Sequence, residues 1–401
     1  MEFTSKVRPW VFCSEEEGRS RERMLDVHVL EATDETKALA PSRRLIDPLR
    51  AVRKFIRSGG DNLHNRLPPR SIEALTSTAR YLSQLWIQSR EASRTSKEGE
   101  SVGVHYAFIM DRINAIRQEL VGRQPTMEIM RLLLHISRLY IYMEMCCQES
   151  LAVGHECGWF DPHMHTSSEV SCITTALGAV ACVHGSVEEV KDELASYQIT
   201  LLALSAHRKA MENVLNEGTS GLHSMLDSRI RFPWLQGRQG AVVPGGEATA
   251  LAHRFLSEVL VQCNPHKGLK CSEQQGTPVG IGLAALFALF LPDLAVWRLL
   301  LIESTANKRE GLQVGDIARR CGLSSSSGVR CMAEVLSALG CSTCDGSGAV
   351  AVYAMRDPGR AFSSEAVRTA RSVFSRYFTE ERRSLRDRCT TDLWREALVG
   401  L

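Results

Sequence analysis

The sequence predicts an all-α protein, a solenoid of helical hairpins capped by a C-terminal winged helix with a small β-hairpin. Three observations predict it. Stretches at about 71–88, 104–121, 127–148, 168–183 and 187–204 carry apolar residues at the 3.6-residue spacing of amphipathic helices. The run Val279–Leu291 is apolar nearly all round, which suits a helix enclosed by neighbours. From Leu312 the texture becomes helix, turn, helix and β-prone pair, the order of a winged helix.

Along the first half, glycine, serine and proline mark the joins between helices. Ser89 to Ser101 is polar and rich in small residues, and reads as a mobile loop between two helices. Residues 217–247 and 264–278, rich in glycine and proline, read as irregular. No strict repeat is present, but consecutive helical hairpins suggest a stack. The Val279–Leu291 run is too short to span a bilayer and is followed by Pro292-Asp293 and Arg298, so a buried core helix is expected and no membrane insertion.

In the C-terminal part, Leu312 to Arg320 reads as a short helix, Cys321 to Leu323 as a turn and Ser324 as an N-cap. The second helix sets Val329, Met332, Val335, Leu336 and Leu339 on one face and stops at Gly340. Asp345 to Gly348 then turns the chain into Ala349–Tyr353. A tail helix from Ser363 carries Val367, Ala370, Phe374 and Tyr377, then an arginine-rich section at Arg376, Arg382, Arg383, Arg386 and Arg388.

Composition bounds the function. At 401 residues the chain can bury a large core, and 44% apolar with 23% charged residues is ordinary for a globular protein. A net charge of +2 gives no global pull toward nucleic acid, so any such contact needs a local patch. The 13 cysteines are scattered, and Met1 to Lys6 has no apolar leader, so free thiols in a reducing compartment are expected.

The most informative stretch is Tyr106–Leu120. Ile109, Ile113, Ile116 and Leu120 form an apolar stripe closely flanked by Asp111, Arg112, Arg117 and Glu119. Alone it reads as an amphipathic core helix with ion pairs at its edges. Its pattern F-x-x-D-R-x-x-A-I-R-x-E, from Phe108 to Glu119, resembles the central motif of the Sac-three/GANP family. Further pieces follow in the family's order. Cys13-Ser-Glu15-Glu-Glu17 with Arg21 and His28-Val-Leu-Glu31 resembles the opening motif, and Val52, Lys54, Phe55, Arg57 and Ser58 the next. Arg70, Leu75, Thr78, Tyr81 and Leu82 match a third, Arg138-Leu-Tyr-Ile141 a fourth and Phe160-Asp161 a fifth, while Glu193, Tyr197, Leu201, Leu202 and Leu204 resemble a sixth. Departures are Ser14 and Ser71 in place of prolines, Ile113-Asn114 in place of Thr-Arg, and Gln124 one residue late.

The resemblance implies a non-catalytic scaffold with an N-terminal helical region at 1–186, a PCI-like stack at 187–302, a winged helix at 303–358 and a C-terminal helix at 359–401. It implies a TREX-two-like nuclear mRNA-export complex at the nuclear pore, with a PCI-domain partner and a small acidic Sem-one/DSS-one-like peptide. Pro292 to Trp297 also resembles a family run, with Ala295 where an arginine is expected. A centrosome or spindle scaffold is the alternative for a short, divergent member, and an end at Leu401 without Phe-Gly repeats or a centrin-binding helix suits one.

The candidate chemistry is thin. His155-x-Cys157, His163-x-His165, Cys182 and His184 supply zinc-ligand types without paired spacing, on an expected interhelical loop, so no metal is expected. A zinc or thiol enzyme using this region is the reading from another class. Cys341-Ser-Thr-Cys344 has redox spacing without a thioredoxin context, and Gly280-x-Gly282 lies inside an apolar run. No nucleophile elbow or carboxylate pair points to catalysis, and no cofactor is expected. Lys308, Arg309, Arg319, Arg320 and Arg330 form a basic patch suited to weak, sequence-independent binding of RNA or single-stranded nucleic acid, diluted by Glu310, Asp316 and Glu334.

Overall fold

The computed structural model describes residues 10–56, 68–95, 100–152, 160–180, 188–217, 246–256, 278–305, 312–321, 323, 325–340, 342–346, 350–354 and 363–389. The first helix, α1 (Glu15–Arg23), starts where Ser14 accepts a hydrogen bond from the Glu17 amide. Its acidic first turn and basic last turn complement the helix dipole. The chain then runs as a largely non-helical strap to residue 56, with 3₁₀ turns at Val29–Glu31 and Pro41–Arg43 and an isolated bridge between Ala32 and Ile46. Cys13, Val27, Ala32, Ile46 and Ala51 give the strap a small core of its own.

Four long helices follow: α2 (Ile72–Thr95), α3 (Glu100–Leu120), α4 (Met127–Ala152) and α5 (Pro162–Val180). Helix α2 packs on α3 and α4, α4 on α5, and α5 on α6 (Glu188–Glu217). The expected loop at 89–101 is a correction. Helix α2 continues to Thr95 and α3 begins at Glu100. Its alanine, glutamate and arginine residues are good helix formers, and polarity there is no barrier to helix. The expected interhelical loop after Phe160 is a second correction, since α5 starts at Pro162. Proline at the first helical position gives up no needed hydrogen bond, and Asp161 accepts from the Met164 amide at 3.3 Å.

Helix α7 (Glu247–Leu256) packs on α6, where the Asp192 carboxylate accepts from the amides of Gly246 (2.9 Å), Ala248 (2.8 Å) and Thr249 (3.0 Å). One side chain of α6 thus caps the start of α7. Helix α8 (Pro278–Thr305) contains the expected buried run and lies against α4, α6 and the tail helix α11 (Ser364–Cys389). Gly282 is required where α8 crosses α6: a Cβ there would stand 2.7 Å from Cε1 and Cζ of the fully buried Tyr197. Among the described residues no helix is long and apolar enough to cross a membrane.

Between α8 and α11 lie β1 (Leu312–Gln313), α9 (Val314–Arg320), α10 (Ser326–Ala338), β2 (Ser342–Gly346) and β3 (Val350–Ala354). The strands form an antiparallel sheet in the order β1-β3-β2, with Leu312 opposite Tyr353 and Ser342 opposite Ala354. Leu312 and Gln313 were expected in the helix and instead pair with β3. Residue 324 lies outside the described residues; Ser325 is the cap of α10, accepting from the Gly328 amide at 3.0 Å. Gly340 ends the segment at φ 73°. Helix α10 packs on α11, and one continuous hydrophobic core runs from Val52 to Phe378.

Candidate functional site

The charges of α3 meet the N-terminal strap in a buried clasp. Glu31, fully buried, receives Arg112 of α3 at 2.9 Å, Arg21 of α1 and the Val52 amide at 2.8 Å. Arg21 also donates to the Val52 carbonyl at 3.1 Å. Burial raises the carboxyl's pKa, but Arg112 and Arg21 more than offset it and hold Glu31 below the usual carboxylate range. Asp111 pairs with Arg112 and accepts from the Phe55 amide at 3.2 Å.

Two turns further along α3, Glu119 binds Arg70 through Nε at 2.9 Å and Nη2 at 2.6 Å, and Arg53 at 3.1 Å. Arg53 joins Glu119 to Glu17, which also accepts from the Lys54 amide at 3.0 Å. Arg70 reaches back to the Phe12 carbonyl at 2.7 Å and to Thr78 at 3.1 Å. Every guanidinium here thus has a buried carboxylate, the condition under which buried charge is tolerable.

The remaining motif residues tie helices together. Ile116 is fully buried, and Arg117 of α3 donates to Ser168 (3.3 Å) and Ser171 (2.8 Å) of α5. Arg138 of α4 makes a two-pronged pair with Glu193 of α6 at 2.8 Å for each contact, and Tyr197 donates to the same carboxylate at 2.8 Å. Phe108 is buried beneath the Arg112 guanidinium, 4.6 Å from its ring centre, and faces His28 at 4.7 Å.

Beside the clasp, the strap and α3 enclose an open cleft of about 320 Å³. Arg21, Arg44, Lys54 and Arg112 line it with Asp26, Asp111, His28 and Phe108.

A separate buried group stands where α4 meets α5: Glu144, His165 and Glu169 offer ligand atoms within 4.8 Å of one another. Both His165 nitrogens are engaged, Nδ1 with the Tyr106 hydroxyl and Nε2 with the Tyr140 carbonyl, each at 2.9 Å. A carbonyl only accepts, so Nε2 carries the proton, and a cation could reach Nδ1 only by displacing Tyr106. The side chains of His155, Cys157, His163, Cys182 and His184 lie outside the described residues, as does Cys341.

Of the basic patch, Lys308 and Arg309 lie outside the described residues. Arg319 and Arg320 are exposed at the end of α9, where Arg319 pairs with Asp316 at 3.0 Å. Arg330 is exposed on α10.

The buried clasp joins the motif residues of the opening segment, Arg70 and α3, in the order in which the sequence presents them. A sequence model of the SAC3/GANP family matches residues 12–217. The chain belongs to the SAC3/GANP family. This is a family of non-catalytic scaffolds associated with nuclear mRNA export. Comparison with curated proteins finds no match.

Two of the family departures are absorbed locally. Ser14 and Ser71 each replace a proline at a helix start and each acts there as an N-cap, Ser71 accepting from the Ala74 amide at 3.1 Å. Sequence reading missed Arg53, which sits between two motif residues and is the only one of the clasp cations to bridge Glu17 and Glu119 among the described residues. An arginine directly between the motif residues Val52 and Lys54 was the available signal. It also missed Asp192, whose partners come from the start of α7, and Glu144 and Glu169, which stand beside His165 where α4 meets α5.

Proposed function

We propose that this chain is the non-catalytic scaffold of a TREX-two-like nuclear mRNA-export complex acting at the nuclear pore. The observation that carries this reading is the family match over residues 12–217, whose motif residues form the buried clasp. The units β1, α9, α10, β2 and β3 are read as a winged helix at 303–358, capping a PCI-like stack at 187–302 that follows the N-terminal region at 1–186. The segment 359–401 is read as a C-terminal helical unit, within which α11 covers Ser364–Cys389.

The winged helix docks a PCI-domain partner, which carries a small acidic Sem-one/DSS-one-like peptide. The chemistry of α10 supports docking over base reading. Ser325 is committed to capping and to Ser327 and Tyr377, and Glu334 is paired with Arg376 of α11. That leaves too few donors for bidentate base contacts. Lys308, Arg309, Arg319, Arg320 and Arg330 contact RNA phosphates weakly, without sequence preference and with steep salt dependence.

The test is affinity capture of the tagged full chain from native extract, followed by mass spectrometry. A PCI protein with nuclear-pore components is expected. Centrin and tubulin-associated proteins instead would make the chain a centrosomal scaffold. Charge reversal at Arg319 and Arg320 is expected to weaken RNA binding while the partner stays bound; tight, sequence-selective duplex DNA binding by the chain alone would overturn the docking reading.

A further inference from the structure

Where α4 meets α5, the scaffold role leaves three side chains of metal-ligand type unused. His165 and Glu169 stand four residues apart on α5, so both project from one face of that helix. Glu144 meets them from α4, and the ligand atoms of all three lie within 4.8 Å of one another. None of the three is exposed to solvent. Carboxylates and an imidazole converging from neighbouring helices are the donor set from which metal sites in helical cores are built.

The imidazole adds a second observation. Its Nε2 donates to the Tyr140 carbonyl at 2.9 Å, which leaves the lone pair on Nδ1. A carbonyl on the far nitrogen is the outer contact that metal-bound histidines make, because it fixes the tautomer and strengthens the other nitrogen as a donor. The rings of Tyr106, Tyr140 and Phe160 surround the imidazole, with centres at 5.8, 5.4 and 5.6 Å, and hold its plane. Nδ1 accepts from the Tyr106 hydroxyl at 2.9 Å, and that hydroxyl belongs to a third helix, α3.

We propose that Glu144, Glu169 and Nδ1 of His165 bind one zinc ion, which displaces the Tyr106 hydroxyl. Charge and donor type select the ion. Two carboxylates balance a divalent charge, as a site closed to solvent requires, and the ion displaces any proton they hold. An imidazole nitrogen suits zinc, whereas magnesium and calcium take oxygen ligands. Three protein ligands leave one tetrahedral position for a water. With every ligand buried, the ion pins α4 to α5 behind the motif pair Phe160-Asp161 rather than meeting a substrate. This site goes beyond the scaffold reading and stands or falls without it.

The experiment uses the full chain, stripped of metal by a chelator and titrated with zinc chloride. Elemental analysis after gel filtration counts the bound metal, and the melting temperature is followed alongside. One zinc per chain and a raised melting temperature are expected. Glu144→Gln and Glu169→Gln keep the side-chain shape, and each is expected to weaken zinc binding by about a hundredfold or more. Tyr106→Phe removes the competing hydroxyl and is expected to tighten binding about fivefold. Cys157→Ser with Cys182→Ser is expected to change nothing. Cobalt(II) in place of zinc is expected to give visible d–d bands without a thiolate charge-transfer band, which reads the ligands in the wild type should a variant fail to fold. No bound zinc, zinc retained by both glutamine variants, or zinc lost with the two cysteines would each overturn the assignment. Magnesium binding as tightly as zinc would also overturn it, since it would describe an oxygen site without His165. Weaker binding in Tyr106→Phe would overturn the displacement by making that hydroxyl a ligand.

Discussion

Arg112 reaches Glu31 at 2.9 Å across 81 residues of sequence, inside a region that excludes water from both side chains. The pair is neither a surface ornament nor a helix–helix contact. It fastens a non-helical strap to the central helix of the motif, and Arg21 closes the same carboxylate from the other side.

Removing that carboxylate should therefore be costly. Glu31→Gln keeps the shape but leaves Arg21 without its counter-charge and Arg112 with Asp111 alone, with an expected loss of about 3–5 kcal/mol. Urea denaturation measures it. Lys54→Met, which breaks its pair with Asp26 with both side chains well exposed, should cost under about 1 kcal/mol. Equal effects from the two would show that the clasp is hydrated in solution.

The strap was only partly legible in the sequence. Asp111, Arg112 and Glu119 stood out because charges flanked an apolar helical stripe, and ion pairs at helix edges were the natural expectation. The structure buries those pairs against residues 10–56, a segment without periodicity, so no spacing rule could reveal the partners. Resemblance supplied what periodicity lacked, since Glu17, Arg21, Glu31 and Arg70 all fall in quoted motif pieces. Arg53 escaped because the motif does not include it. The loop expected at 89–101 failed for a different reason: polarity records exposure, whereas helix formation depends on backbone and side-chain entropy.

Helix α7 should depend on Asp192 more than on its own sequence. Asp192→Ala leaves the amides of Gly246, Ala248 and Thr249 without their acceptor, an expected loss of about 1–2 kcal/mol. Hydrogen exchange should locate the lost protection in α7, with α4 unchanged.

Packing between α6 and α8 should tolerate no added volume. Gly282→Ala would press on Tyr197, whose hydroxyl is held by Glu193, and should cost about 1–3 kcal/mol. Leu286→Asp places an unpaired charge at a fully buried site and should abolish cooperative melting of the C-terminal half. A normal melt in that variant would show the α8 surface to be exposed.

Acid should weaken the fold in two stages. Burial lowers the pKa of His135 from 6.5 to about 4, so the neutral ring stabilises the fold above pH 6.5 and that contribution is lost as pH falls toward 4. The shift corresponds to roughly 3 kcal/mol. Glu31 and Glu119, held below their ordinary value of 4.5, add a further loss below that pH as they take up protons. Denaturant midpoints measured from pH 7 to pH 3 should fall throughout, and His135→Gln should shrink the upper stage, to which the half-buried ring of His28 also contributes, while leaving the lower one unchanged.

The strap also sets an order of events during synthesis. Glu31 leaves the ribosome about 4–16 s before Arg112 at translation rates of about 5–20 residues per second. Until α3 emerges, Glu17, Glu31 and Arg21 have no water-free place to go, and the nascent opening segment stays hydrated and accessible. The first domain-scale folding step must therefore wait for Glu119, so pausing or truncation before that codon should yield a protease-sensitive chain, and release past it a resistant one.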